Sequence, residues 1–391
     1  MANTSVKVDT LKRESPMEIP NILANHWNTA KLGKKPVSVQ LYGEVSTVKS
    51  RGVESFSRIA AEESGREFVD WNRTALPKKE EVTSNPAKYY IFADLRASST
   101  DVAELRLQEM NNGKPWISFK YNVLFVAMSH PESMGMLFLD EMNLAPTIIK
   151  SQFYQLVNDH CIGDLPLSNK VMVVSAGNEV GHARGVQPED APLTTRRCNY
   201  FIRPLTDEEY ADYSVQTGQS ELISAYVKAF PADVHRIDYD SHDGTGQPCP
   251  RTWSMLSDLI LANPEMADDM MAMHARAAVG QGTATKFMSF AKMAKKVDID
   301  AVLKRPELIK EYEQDLSLLY AVITGSLEKF RNAKAKHSDA IFEMSLYMRE
   351  ELGVFMLRQM KSMVGASKFK TYVMDAKKGQ DVAERFTKFF S

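Results

Sequence analysis

Gly43-Glu44-Val45-Ser46-Thr47-Val48-Lys49-Ser50 places a glycine, a lysine and a hydroxyl at the mutual spacing of a phosphate-gripping loop. In such a loop the backbone N–H groups of the turn face phosphate oxygens, the lysine neutralises their charge, and the hydroxyl holds Mg2+. Val37, Val39 and Leu41 alternate ahead of it as a strand does, and Val53, Phe56, Ile59 and Ala60 follow at helical spacing. The unit therefore reads as strand, loop, helix. Position 48 carries valine where the pattern has its second glycine, and a β-branched residue resists the dihedrals that glycine allows. Glu44 adds a negative charge where phosphates would lie. The loop by itself also fits an ordinary strand-to-helix turn with Lys49 and Ser50 solvated.

A second constellation stands roughly 90 residues downstream, where Leu137, Phe138 and Leu139 run into Asp140 and Glu141. An apolar strand ending in two carboxylates sets them at the carboxyl edge of a sheet, where open α/β folds bind ligands. In phosphate-transfer chemistry Asp140 would sit in the Mg2+ shell and Glu141 would polarise an attacking water. A third strand ends at Asn178, whose amide would orient that water. Arg196 and Arg197 directly precede a last strand; a guanidinium there matches phosphate oxygens and would reach the site of a neighbouring subunit.

The elements that must position these residues fall into two regimes. Between residues 37 and 204, short apolar runs at 37–42, 89–93, 136–139, 171–174 and 199–202 alternate with helical patterns. That alternation predicts an α/β unit with a parallel sheet and covering helices. The stretch 116–128 alternates as a hairpin inserted before the acidic strand would, and the charged segment 77–86 reads as a surface loop. After Pro204 helices dominate: Leu316, Leu319, Ile323, Leu327 and Phe330 share one helical face, as do Leu352, Met356, Met360 and Met363. Such a methionine stripe is core packing. The expected division is a polar tail at 1–20, an α/β nucleotide-binding domain at 21–205 and a helical domain at 206–391.

Composition narrows the classes. The 391 residues are 44% apolar and 25% charged, an ordinary globular balance. With 48 basic against 50 acidic residues the net charge is −2, so no overall basic field for nucleic acid exists. Three widely spaced cysteines, Cys161, Cys198 and Cys249, form neither a disulfide framework nor a zinc spacing. No run approaches the roughly 20 apolar residues of a membrane helix, and 1–14 lacks a signal-peptide core. A cytoplasmic protein is expected. His160-Cys161 has no second pair at ligand spacing and reads as a satisfied or exposed histidine.

Taken together, the residues resemble the MoxR-like branch of AAA+ ATPases of bacterial and phage type, with a degenerate Walker A motif. The likeness runs from about Ile22 onward. It includes GMLFLDEMNLAP at 135–146, QLVNDHCIG at 155–163, SAGN at 175–178, PRTW at 250–253, and VGQGTA at 279–284 with Phe287. The resemblance implies an AAA+ P-loop NTPase core followed by an all-α lid. It implies ATP cradled by Gly43, Val45, Ser46, Thr47, Val48, Lys49 and Ser50, and Mg2+ at Ser50 and Asp140. Glu141 and Asn178 would be catalytic, with Asn178 as sensor 1. Arg197 would be the intersubunit finger, with Arg196 as the alternative, and Arg251 the sensor-2 arginine of the lid.

The family implies a homo-oligomeric, hexameric ring in the cytoplasm of a bacterial or phage-infected cell. It would remodel a protein client, in some cases with a von Willebrand A partner. Val48 and Glu44 motivate an alternative, a catalytically impaired scaffold that binds partners without turnover. A nucleic-acid motor is a third reading, disfavoured by the neutral charge.

Overall fold

The computed structural model describes residues 12–30, 32, 34–110, 117–179, 181, 194–241 and 243–390. Its contacts divide it into two compact units, Met1–Pro204 and Leu205–Ser391.

The first unit is built on six parallel strands: β1 (Val39–Gly43), β2 (Glu67–Asp70), β3 (Tyr89–Arg96), β6 (Met134–Asp140), β9 (Val171–Gly177) and β10 (Cys198–Ile202), in the order β10-β1-β9-β6-β3-β2. Two antiparallel pairs stand apart from that sheet, β4 (Arg106–Met110) with β5 (Ile117–Tyr121) and β7 (Cys161–Ile162) with β8 (Leu165–Pro166). Helices cover both faces of the sheet, which is why its inner strands β3, β6 and β9 carry continuous apolar runs rather than alternating. Successive residues enter opposite layers. Val39, Leu41, Tyr90, Phe92, Met136, Phe138, Met172 and Val174 pack with Ile19 and Leu23 of α1 (Ile19–Ala30) and with Val53, Phe56 and Ala60 of α2 (Lys49–Glu63). Tyr89, Ile91, Leu137, Leu139, Val171 and Val173 pack on the other face with Phe125 and Phe153.

Strand order, parallel direction and the helix that follows the loop after β1 give an open parallel α/β core with a strand–loop–helix start, the architecture that the resemblance implied. Because every strand of the sheet points the same way, all their carboxyl ends meet at one edge. The registers Gly43↔Ile202, Tyr42↔Gly177, Leu139↔Ser175 and Arg96↔Asp140 bring the loop, the acidic pair and Asn178 to that edge.

Three local readings change. Residues 77–86 are mostly helix, α3 (Leu76–Ser84), with Pro77 in the first turn where its missing N–H costs nothing. The hairpin before the acidic strand is β4 with β5; it begins earlier than the alternation suggested, and Trp116 lies outside the described residues. Val123–Ser129 is helical, started by the Asn122 side chain accepting from the Leu124 N–H. Short apolar runs do not distinguish helix from strand by periodicity, which explains that last difference. The edge strand β2, of mixed polarity, left no apolar run to read.

The second unit is helical among the described residues. Its centre is Leu316–Asn332, which buries Leu319, Ile323, Leu327 and Phe330 but leaves Leu316 exposed. Met356 and Met360 are fully buried, as a packing stripe requires. Tyr226, Phe230, Trp253, Phe287 and Phe290 form a connected aromatic cluster. The Trp253 indole donates to the Asp233 carbonyl at 2.8 Å. No described helix is long and apolar enough to cross a membrane.

Gly135 lies in β6 beside its register partner Ile91, and a Cβ there would stand 2.2 Å from the Ile91 carbonyl oxygen. Gly135→Ala must push two central strands apart. We expect a loss of at least about 2 kcal/mol in urea unfolding; an unchanged midpoint would refute this account of the sheet.

Candidate active site

The loop after β1 turns on two residues with positive φ, Ser46 at 62° and Val48 at 55°, and Thr47 between them has none. Alternation of this kind directs successive N–H groups into one concavity, an arrangement suited to an anion. Val48 is the N-cap of α2 and supplies no side-chain cap, so no side chain at that position answers the positive end of the helix dipole. The sequence-level objection to valine is thus realised as strain. A β-branched residue sits in the left-handed region, at a cost of about 1–2 kcal/mol.

Lys49 closes the loop on itself. Its ammonium donates to the Gly43 carbonyl at 3.0 Å, the Glu44 carbonyl at 2.8 Å and Thr47 Oγ1 at 3.0 Å, and the residue is only 9% exposed. The charge is therefore held at the mouth of the loop by neutral oxygens, which an incoming phosphate can replace with charge-assisted bonds.

Ser50 reaches the acidic strand. Its hydroxyl donates to Asp140 Oδ2 at 3.1 Å, while Asp140 Oδ1 accepts from the Glu141 N–H at 2.9 Å. Two oxygen donors from two elements suit Mg2+, which keeps most of its shell as water and phosphate oxygens. No cage of three or more His, Cys, Asp or Glu residues exists among the described residues. Glu141 takes the left-handed conformation, φ 55°, and its carboxylate accepts from the Ser98 hydroxyl just beyond β3. That contact orients the acid.

Asn178 follows β9. Its backbone is gripped by Asn143, whose Nδ2 donates to the Asn178 carbonyl and whose Oδ1 accepts from the Asn178 N–H at 3.3 Å. Asn143 is 2% exposed and sits in the turn opened by Glu141. The acidic strand and the Asn178 strand are thereby locked together at their ends.

The arginines part company. Arg197 is 6% exposed; its guanidinium donates to the Tyr42 hydroxyl at 2.8 Å and to Asn199 Oδ1 at 3.2 Å, tying β10 to β1. Arg196 is exposed. Arg251 is exposed in the first turn of Pro250–Ala262, within the second unit. His160 is 3% exposed and its ring contacts the Ser168 carbonyl, with burial lowering its pKa: a core histidine.

Ser98, Asn143 and Tyr42 were not singled out from the sequence. Asn143 falls inside the quoted 135–146 run, whereas Ser98 and Tyr42 carry no local signal, because their roles exist only across strands.

No family model matches the chain, and no curated protein matches it in sequence. Among solved structures it is similar to a mutant form of RuvB from Thermotoga maritima, at 14% identity over 77% of this chain and 81% of that one, with a TM-score of 0.34. It is similar to the ORC2 protein of Aeropyrum pernix at 13% identity, over 91% and 83% of the two chains, TM-score 0.37. PCH-2 of C. elegans is a further one, at 11% identity over 77% and 66%, TM-score 0.30. At these values the fold statement rests on the strand order and registers given above.

Two outcomes follow from this geometry. Val48→Gly removes left-handed strain and adds unfolded-state entropy worth about 0.5–1 kcal/mol, so a net gain up to about 1 kcal/mol is expected in urea unfolding; a marked loss would contradict the strain. Asp94, at the end of β3, has its pKa raised to about 6, by burial first and by Asp140 second. A raised acid is more stable protonated, so its contribution is intact below about pH 4, falls between about pH 4 and 6, and is flat above. Without nucleotide or divalent ions, the Tm of Asp94→Asn relative to the parent should therefore be higher at about pH 7.5 than at about pH 4. Equal differences at both pH values would exclude the burial cost.

Proposed function

We propose that this chain is an ATP-hydrolysing AAA+ protein of the MoxR-like type that works as a ring and remodels a protein client. The observation that carries the reading is the Ser50–Asp140 hydrogen bond of 3.1 Å. It joins the two motifs, roughly 90 residues apart, at the point where the chemistry needs a hydroxyl and a carboxylate together.

In this reading Lys49 leaves the Gly43 and Glu44 carbonyls for the phosphates of ATP. Ser50 and Asp140 would hold Mg2+, which supplies charge neutralisation at the transferred phosphoryl group. Glu141, released from Ser98, polarises the attacking water, and Asn178 orients it. Arg197 is engaged by Tyr42 and Asn199 within its own subunit, so we assign the finger to Arg196, the exposed member of the pair. Arg197 then anchors the strand that presents it. Arg251 is assigned to the lid.

A second reading keeps the fold and drops the turnover, leaving a scaffold. It is favoured by the strained Val48 and by the lysine already satisfied inside the loop. Calorimetry and turnover separate the two. Glu141→Gln should lower kcat by about 100-fold or more while retaining ATP affinity, and Lys49→Ala should abolish binding. Turnover indifferent to Glu141→Gln would remove the catalytic reading, and tight, Lys49-dependent binding without turnover would establish the scaffold.

A further inference from the structure

Residues 12–15 run along the outer side of β10. The Glu14 N–H donates to the Phe201 carbonyl at 2.7 Å and the Arg203 N–H donates to the Glu14 carbonyl at 3.1 Å, a parallel bridge between Glu14 and Ile202. Ile202 is itself the register partner of Gly43, and Tyr42 that of Gly177. Going inward from Glu14 the order is β10, β1, β9, three strand spacings or about 14 Å. With the Glu179 side chain reaching from the other side, Arg13 closes that distance. Its guanidinium forms a two-pronged ion pair with Glu179, including Nη2 to Oε2 at 2.9 Å, across the ends of β10 and β1.

Glu179 is only 7% exposed and directly follows Asn178. A carboxylate buried to that degree is costly unless paired, so Arg13 determines where the chain can put it. Asn178 is thus held from two sides. Asn143 clamps its backbone from the acidic strand, and Arg13 clamps the next residue from the N-terminal segment. The two clamps differ in permanence. Asn143 is buried in the core of the edge, whereas Arg13 stands next to the Glu14–Ile202 bridge, which lies outside the named strands at the rim of the sheet.

We propose that residues 12–15 form a detachable strap and that Arg13, through Glu179, is a positioning residue for Asn178. The strap couples the N-terminal segment to the candidate active site. With it docked, Asn178 is fixed for its water-orienting role; with it released, Glu179 draws toward solvent and Asn178 loses its position. By linkage, a nucleotide that engages Asn178 changes strap docking by the same factor that the strap changes nucleotide engagement. The catalytic half of this inference rests on the ATPase reading above; the mechanical half does not.

Amide hydrogen exchange without nucleotide tests the mechanical half. In Arg13→Gln the Arg203 and Asn178 amides should both exchange about ten-fold faster or more. Arg13→Lys should keep part of the protection, and the double reversal Arg13→Glu with Glu179→Arg should restore most of it. An Asn178 amide as protected as in the parent overturns the proposal, whether or not the Arg203 amide has been freed. With ATP, Arg13→Gln should lower kcat per bound nucleotide about ten-fold with Kd within about three-fold, a split that loss of folded protein does not produce. Unaltered kcat per bound nucleotide in that variant overturns the catalytic half. A parent that binds no ATP defeats the ATPase reading, and the exchange result still decides the strap.

Discussion

Everything at the candidate site depends on one constraint: six strands run parallel, so their carboxyl ends share an edge. Antiparallel pairing in the same strand order would have sent the end of β9, and Asn178 with it, to the edge opposite Gly43 and Asp140. Parallel pairing puts the loop after β1, the acids after β6 and the amide after β9 within side-chain reach. The Ser50–Asp140 bond is the smallest expression of that constraint, since it closes only if β1, β9 and β6 keep their register.

The edge is also where the structure departs from comfort. Ser46, Val48 and Glu141 all hold positive φ without being glycine. Such strain persists only where the surroundings over-determine it, and it concentrates at functional sites. Here the surroundings are visible. Lys49 cross-braces the loop from inside, α2 begins immediately after Val48, and Ser98 with the Asp140 carboxylate pins Glu141. Of these braces, the Lys49 bonds to the loop carbonyls are the ones that a phosphate would have to replace. A loop held this way is closed on itself yet already shaped for an anion.

Polar pairs rather than apolar packing tie the strand ends to one another. Asn143 fastens β9 to β6, Arg197 fastens β10 to β1, and Arg13 carries a buried carboxylate from the rim. Buried polar groups of this kind are expensive when half satisfied, so each pair specifies one arrangement of its strands. The two adjacent arginines illustrate the point. Sequence adjacency made them near-equivalent candidates for contact with a neighbour, but one faces Tyr42 and the other faces solvent.

The sequence by itself determined the α/β-then-helical order, the five apolar strands, and the two motifs that a phosphate chemistry needs. Periodicity, run length and the residue types at strand ends are local properties, and local properties survive in one dimension. It did not determine the short polar strand β2, the helix at Leu76–Ser84 or the true span of the hairpin, where propensity and pattern were weak or ambiguous. Only the tertiary structure decided that Arg197 is spent inside its own chain, that Ser98 holds Glu141, and that Arg13 reaches Glu179. Those partners lie 155, 43 and 166 residues apart along the chain. No spacing rule connects residues so distant; the sheet does, because strand order rather than chain order sets which side chains are neighbours.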